Sequence, residues 1–180
     1  MNVLILSQYF WPENFRINEL VNELGKFKKI NIEVLTAKPS YPSKNEYENK
    51  KLTNFGKIKV HRLSVFLRNG SKISIVLNYI SFVINATIFM LFLNKKKYDS
   101  IFVFQVSPVF SAIPAIIYSK FNKTKVYLWV LDLWPESILS LGFNSKTIFF
   151  IIKKISDYIY FNCDIIFAQS RSLLKILVKK

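Results

Sequence analysis

The segment from Gln8 to Arg16 gathers side chains that could bind a sugar. It holds four aromatic residues, Trp11 among them, together with Glu13, Asn14 and Arg16. Exposed aromatic rings need a reason to be exposed, and sugars supply one, because their C–H faces stack on rings while their hydroxyls bond to carboxylate, amide and guanidinium groups. Arg16 is also suited to meet a phosphate. The alternative is that the aromatics pack into the core and that Glu13 pairs with Arg16.

A second segment, residues 129–137, repeats this composition with Asp132, Trp134, Pro135 and Glu136. An aspartate that directly follows a strand can act as a base or can stabilise positive charge that develops in a transition state. Asp132 is therefore the candidate catalytic residue. The alternative is that Asp132 and Glu136 both serve the N-terminus of a helix.

Alternating strands and helices are predicted to position these segments. Apolar runs predict strands at 2–7, 31–36, 57–63, 100–106, 125–131 and 164–168, and helical spacing predicts helices at 15–27, 73–94, 108–118, 146–161 and 170–180. We expect Pro114 to bend the third helix, and a long loop to occupy residues 37–56. This alternation is typical of an open α/β sheet, in which ligands bind beyond the carboxyl ends of the strands.

Several function classes are excluded by what the sequence lacks. It contains neither G-x-G-x-x-G nor G-x-x-x-x-G-K-[ST], so a nicotinamide dehydrogenase and a P-loop NTPase are not expected. The lone Cys163 cannot form an internal disulfide, no ligand spacing predicts a metal, and His61 lies on an alternating strand where a structural role is expected. No secretory signal opens the chain, which favours a cytoplasmic location.

The charge of the chain is strongly positive and unevenly placed. The sequence has 26 Lys and Arg against 11 Asp and Glu, a net charge of +15, all of which arises after Asn49. Such a surface attracts anionic lipid or a phosphorylated substrate, and no nucleic-acid-binding motif accompanies it. A basic solvated surface without a partner is the alternative.

Residues 73–94 contain no charged side chain, and Arg68, Lys72 and Lys95–Lys97 flank them. Length alone would permit a membrane span. Basic residues at both ends favour instead a helix that lies on an anionic membrane surface. A helix buried within the fold is the further alternative.

Five motifs spread over the whole chain carry a resemblance to a known family. They are Ser-Gln-Tyr-Phe-Trp-Pro-Glu-Asn-Phe-Arg-Ile-Asn at 7–18, Lys-Pro-Ser-Tyr-Pro at 38–42, Leu-Asn-Tyr-Ile-Ser-Phe at 77–82, Val-Leu-Asp-Leu-Trp-Pro-Glu-Ser at 130–137, and Ala-Gln-Ser-Arg-Ser at 168–172. Together they resemble the amino-terminal domain of bacterial family-four glycosyltransferases, in the colanic-acid and O-antigen branch that includes fucosamine transferases.

The resemblance implies one half of a GT-B fold, with residues 1–180 forming a single Rossmann-like, acceptor-side domain that has helices on both faces of a parallel sheet. It implies a hexosyl-type glycosyltransferase that uses a nucleotide-sugar donor without a metal or other cofactor and retains the anomeric configuration. A lipid-linked or saccharide acceptor in O-antigen, capsule or exopolysaccharide synthesis is the expected partner. The substrate-binding residues expected in addition to those of the first segment are Tyr41, Glu136, Ser170 and Arg171.

Family members are about twice as long, and their carboxyl-terminal domain supplies the donor pocket. That domain is absent from these 180 residues, so a natural truncation, a frameshifted reading frame and one half of a split enzyme are all open. A split enzyme would make a separate donor domain a partner. Two hypotheses follow: a glycosyltransferase domain at the inner face of the plasma membrane that is incomplete on its own, or a non-catalytic membrane-surface or partner-binding remnant.

Overall fold

The computed structural model describes residues 1–41, 55–93, 97–140, 142 and 145–179. Six strands form one sheet in which every neighbouring pair is parallel, in the order β3-β2-β1-β4-β5-β6. The strands are β1 Asn2–Ser7, β2 Asn31–Ala37, β3 Lys59–Leu63, β4 Ser100–Gln105, β5 Lys125–Val130 and β6 Ile165–Ala168. The helices are α1 Ile17–Leu24, α2 Lys72–Leu91, α3 Ile113–Asn122, α4 Ser137–Ser140, α5 Lys146–Phe161 and α6 Arg171–Leu177.

Helices cover both faces of this sheet because its central strands are apolar on both sides. In β1, Leu4 and Leu6 belong to the core beneath α2, whereas Ile5 belongs to a second core beneath α1. The strand order and the two helical layers make the domain an open, Rossmann-like α/β fold. The predicted fold class is confirmed.

The segment around Pro114 differs from its prediction. A short 3₁₀ helix, Val109–Ala112, comes first, and Pro114 then lies in the first turn of α3. Proline is favoured there because the first helical N–H groups have no intrahelical acceptor, so Pro114 starts a helix and does not bend one. Residues 42–54 of the predicted long loop lie outside the described residues.

Helix α2 packs on the sheet through a narrow stripe. Its buried residues recur every four positions and are Ser74, Asn78, Phe82, Ala86 and Met90. The outward face is apolar and exposed, as at Ile84 and Ile88. Among the described helices α2 alone is long and apolar enough to cross a membrane, by length and composition only.

A polar cluster ties β2 and β3 to the segment before β4. Glu33 Oε2 lies 2.6 Å from His61 Nε2, and it accepts hydrogen bonds from Lys97 Nζ and Tyr98 Oη, each at 3.0 Å. Burial alone would raise the pKa of Glu33, but these three hydrogen bonds outweigh it and lower the pKa to about 2. His61 therefore has a structural partner, and Lys97 is engaged with Glu33.

Candidate functional site

The strand order reverses between β1 and β4, which defines the crevice where open α/β sheets bind ligands. Ser7 pairs with Phe104, Gln105 pairs with Val130, and Val130 pairs with Ala168. Strands β1, β4, β5 and β6 thus end at one level, and their following loops emerge side by side. We call this edge the switch-point crevice; the loops after β1, β4 and β5 form it.

Glu13 fastens the loop after β1 to the loop after β2. Its side chain is only 2% exposed, and its Oε1 accepts hydrogen bonds from the backbone N–H groups of Ser40, at 2.9 Å, and Tyr41, at 2.8 Å. Its Oε2 accepts from the N–H of Phe10 at 3.2 Å. Burial raises the pKa of Glu13, although these hydrogen bonds and the nearby Arg62 oppose the shift.

These contacts give Glu13 a structural task that the sequence does not predict. Its carboxylate is turned inward on backbone groups and positions the loop, while its role in substrate binding stays a prediction. The alternative pairing is not formed, since no ion pair joins Glu13 to Arg16 within the described part of the chain. Arg16 and Asn14 are both exposed, and Arg16 immediately precedes α1.

Aromatic rings form a layer across the same two loops. Tyr9 and Phe15 stack with ring centroids 5.0 Å apart, and Tyr41 tilts against both rings at 5.5 and 5.8 Å. Tyr9 is buried, Phe15 and Trp11 are half-buried, and Tyr41 is exposed. Aromatic packing thus accounts for Tyr9 and Phe15, while Tyr41 and Trp11 keep accessible ring surface at the rim.

A network that the sequence analysis did not predict joins α2 to the end of β1. Asn78 Oδ1 accepts hydrogen bonds from Gln8 Nε2 at 2.7 Å and from Arg68 Nε at 3.1 Å. Arg68 Nη2 donates to the Tyr9 hydroxyl, and its guanidinium carbon lies 4.9 Å from the Tyr79 ring centroid. Arg68 is therefore a half-buried cation held in a fixed orientation beside the crevice.

Asp132 lies at the rim of the crevice and faces the loop after β4. Its side chain is half-buried and forms a hydrogen bond with the side chain of Ser107, and its backbone carbonyl accepts from Gln105 Nε2 at 2.9 Å. Burial raises the pKa of Asp132, while the Ser107 hydrogen bond opposes the shift. A carboxyl with this environment can take up or release a proton closer to neutral pH than an ordinary aspartate does.

The contact with Ser107 also bears on the capping alternative. It turns the Asp132 side chain toward the loop after β4 and not toward the N-terminus of α4. Ser137, the first residue of α4, donates its hydroxyl to the carbonyl of Leu133 at 2.7 Å. Glu136 is exposed directly before α4.

Ser170 and Arg171 lie at the far end of the same sheet edge, after β6. The Ser170 hydroxyl caps α6 by accepting from the N–H of Leu173 at 3.1 Å, and Arg171 is exposed. Three strand spacings separate β1 from β6, or roughly 14 Å. The two residues thus share the edge with the crevice without contacting its centre.

Polar groups buried at the crevice suggest what sequence reasoning missed. Gln8 and Gln105 end neighbouring strands, and the Oε1 atom of each is buried without a hydrogen bond to any described residue. Of the residues in the network with Gln8 and Arg68, only Asn78 could have been identified from the sequence, because an amide buried within a charge-free helix needs a hydrogen-bond partner. Arg68 gives no signal in the sequence, because its partners follow β1 and lie on α2.

The described residues contain no group of three His, Cys, Asp or Glu side chains that could hold a metal ion. The crevice therefore offers carboxylate, amide, hydroxyl and guanidinium groups of this chain for hydrogen bonding and charge stabilisation. No protein-family model matches the chain, and no curated protein matches it. The fold defines its class, a Rossmann-like domain with polar side chains gathered at the switch point.

Proposed function

We propose that this chain is the acceptor-side domain of a glycosyltransferase, which helps to move a sugar from a nucleotide-sugar donor to a lipid-linked or saccharide acceptor during surface polysaccharide synthesis. In this proposal Asp132 is the catalytic carboxylate. The loops around it hold the acceptor.

One observation carries the proposal: the five motifs that resemble family-four glycosyltransferases converge in space. Four of them form the loops after β1, β2, β5 and β6, all at the carboxyl edge of the sheet. The fifth lies on α2 and includes Asn78, which bonds to Gln8 of the first motif at 2.7 Å. A parallel sheet brings every loop that follows a strand to this edge, so the informative point is that four of the motifs lie on these loops, where open α/β sheets bind ligands, and not on the loops at the opposite edge.

The geometry supports distinct roles for the candidate residues. Asp132 lies at the rim of the crevice, and Trp11 and Tyr41 keep exposed ring surface on the loops after β1 and β2; a carboxylate and aromatic rings suit the polar and C–H surfaces of a sugar. Arg16 is exposed at the start of α1 and suits a phosphate. Glu13 would act by holding the first loop in place for them.

The proposal places the domain in the cytoplasm, at the inner face of the plasma membrane. The outward face of α2 is apolar, and Arg68 and Lys72 lie at its amino-terminal end. Lys97, at the other end, is engaged by Glu33, and Lys95 and Lys96 lie outside the described residues. The cationic end of α2 is thus also the end that adjoins the crevice.

A second candidate function is a non-catalytic domain that binds a membrane surface or a partner. The exposed apolar faces of α2 and α5 favour it, because large exposed apolar patches are unfavourable in water and mark sites of interaction with a protein or a membrane. It differs from the first proposal in requiring nothing of Asp132.

A reconstitution assay tests the proposed function. The chain is mixed with a glycosyltransferase donor-binding domain supplied as a separate chain, and transfer from a panel of nucleotide sugars to short-chain lipid-phosphate acceptors and free saccharides is measured. We expect transfer by the mixture, no multiple turnover by the chain alone, and loss of transfer with Asp132→Asn. Acceptor binding without any transfer, unchanged by Asp132→Asn, would favour the non-catalytic function.

A further inference from the structure

Helices α2 and α5 enclose an apolar groove that neither the fold nor the crevice chemistry requires. Its volume is about 390 Å³. The walls and floor come from α2, from the 3₁₀ helix, from the loop after β5 and from α5, and include Tyr79, Ile84, Phe110, Trp134, Ile152 and Ile155. The groove is lined by apolar surface throughout, so a polar or charged ligand would lose its hydration there without compensation.

The groove begins beside the switch-point crevice. Tyr79 and Pro108 belong to its lining; Pro108 follows Ser107, the hydrogen-bond partner of Asp132, and the Arg68 guanidinium lies over the Tyr79 ring. One end of the groove is therefore next to a cation and to the candidate catalytic carboxylate.

Arg68 is prepared to receive an anion at this end. Asn78 and Tyr9 engage its Nε and Nη2 atoms and fix the plane of the guanidinium. Its Nη1 forms no hydrogen bond within the described residues, and none of their carboxylates pairs with it. Lys72, the first residue of α2, adds a second positive charge four residues along the chain from Arg68, and its Nζ donates to the carbonyl of Gly142 at 3.4 Å. Arginine in a fixed plane binds phosphate oxygens in pairs.

We propose that the groove holds the hydrocarbon chain of a lipid phosphate, with the phosphate at Arg68. The inference rests on the proposed function and names its acceptor class: the sugar or phosphate end of the lipid lies in the crevice while its chain lies between α2 and α5. The groove is partly open to solvent, so a hydrocarbon chain can lie along it between α2 and α5. Because moving each methylene from water into an apolar site favours binding, the groove should dominate the affinity for a long-chain ligand.

Calorimetric titration of the full chain tests the proposal with three probes below their micelle concentrations: dodecyl phosphate, butyl phosphate and dodecyltrimethylammonium. The first shares its head with the second and its chain with the third. We expect dodecyl phosphate to bind at least a hundredfold more tightly than butyl phosphate and at least tenfold more tightly than the cationic probe.

Two matched substitutions on α2 locate the binding. Ile84 lines the groove and Ile88, one turn further, does not, although their exposures are similar at 51% and 48%. Ile84→Trp should weaken dodecyl phosphate binding at least tenfold, and Ile88→Trp should leave it within twofold. Val83→Trp, deeper in the groove, repeats the test if the ring at 84 turns outward. Equal weakening by the groove and control variants would overturn the proposal, because the chain would then adsorb on the helix surface.

The head group is tested at Arg68. Arg68→Gln should remove the preference for the phosphate over the cationic probe, and Arg68→Lys, which keeps the charge but not the planar guanidinium, should keep only part of it; circular dichroism checks that both variants are folded. An unchanged preference in Arg68→Gln would overturn the assignment of the phosphate. Binding that is replaced by dimer formation in sedimentation, and abolished by Ile84→Trp, would assign the groove to a second copy of the chain and overturn the lipid.

These outcomes separate the inference from the proposed function. If the reconstituted enzyme transfers sugar to a free saccharide while the chain binds no dodecyl phosphate, the inference fails and the proposed function stands. If dodecyl phosphate binds as expected but no transfer occurs with any donor, the groove stands and the proposed function fails.

Discussion

Glu13 illustrates how a residue of catalytic type can have a structural task. A buried carboxylate is costly unless its oxygens are bonded, and here three backbone N–H groups from two loops bond to them. Those N–H groups would in turn lack acceptors if the carboxylate were removed. Glu13 and the loops after β1 and β2 therefore depend on each other.

We predict that Glu13→Gln lowers the free energy of unfolding by about 1 to 3 kcal/mol, because an amide supplies one acceptor oxygen and turns its NH₂ group toward backbone donors. Urea denaturation measures the change. The control is Glu23→Gln, at a side chain that is 63% exposed and paired only with Lys26, where less than about 0.5 kcal/mol is expected. Similar losses in the two variants would contradict the structural role of Glu13.

Asp132 is the residue on which catalysis depends in the proposed function. In the reconstituted enzyme Asp132→Asn should lower kcat by at least roughly a hundredfold and change KM little, since a group that acts in the transition state affects turnover more than binding. Arg16→Ala should instead raise KM. Wild-type kinetics in both variants would mean that these residues only pack and bond locally.

The raised pKa of Asp132 adds a pH signature to the same enzyme. If the carboxylate form is active, kcat/KM should fall on acidification through a pKa above the ordinary aspartate value of about 3.9. Ser107→Ala removes a hydrogen bond that favours the charged form, so it should move this acid limb to higher pH. A pH profile that is altered neither by Ser107→Ala nor by Asp132→Asn would exclude Asp132 as the titrating group.

Among the elements, β2, β3 and the lead into β4 are joined through Glu33. Its pKa is lower in the folded state than in the unfolded chain, so its contribution is complete above the unfolded value near 4.5 and is lost as the pH falls toward 2. We expect the wild type to lose about 1 to 3 kcal/mol more than Glu33→Gln between pH 5.5 and pH 2.5. Urea denaturation at both pH values measures this, and parallel loss in the two proteins would contradict it.

The elements themselves are largely predictable from the sequence, for physical reasons that differ along the chain. Residues 3–6 form an unbroken apolar run, which only a strand covered on both faces can bury, and β1 is Asn2–Ser7 as predicted. Helix α5 matches its predicted bounds, 146–161, because Ser145 caps it and its apolar spacing is regular. The prediction around Pro114 is wrong because the spacing of apolar residues does not distinguish one bent helix from a 3₁₀ turn followed by a new helix.

The site is less predictable than the elements because its contacts join distant segments. The position of Asp132 follows from the end of a predicted strand, but its partner Ser107 requires the β4–β5 register. Glu13 meets Ser40 and Tyr41 only because β1 and β2 are neighbours. Residue types predict what chemistry is available, and the sheet order decides which groups meet.

On the scale of the whole molecule, apolar surface and positive charge occupy related positions. The exposed apolar residues of α2 and α5 lie on the helical layer opposite α1, and Arg68 and Lys72 lie where α2 begins. This arrangement would orient the domain on an anionic bilayer with the crevice beside the headgroups. A neutral bilayer would provide only the apolar part of the attraction.

We therefore predict that the chain co-sediments with vesicles containing anionic lipid and is largely released at about 1 M salt, where the Debye length is only about 3 Å. Ile88→Glu should weaken this binding severalfold, because it puts a negative charge on the face that meets the lipid. The control is Phe27→Glu, at a side chain 60% exposed on the turn after α1, which should change binding only as one added charge does. Equal effects of the two substitutions would show that no particular face meets the membrane. A protease-protected fragment covering residues 72–91 that appears only with vesicles would make α2 transmembrane, whereas a helix that lies on the surface and still packs on its sheet should give no fragment beyond those that the chain gives without vesicles.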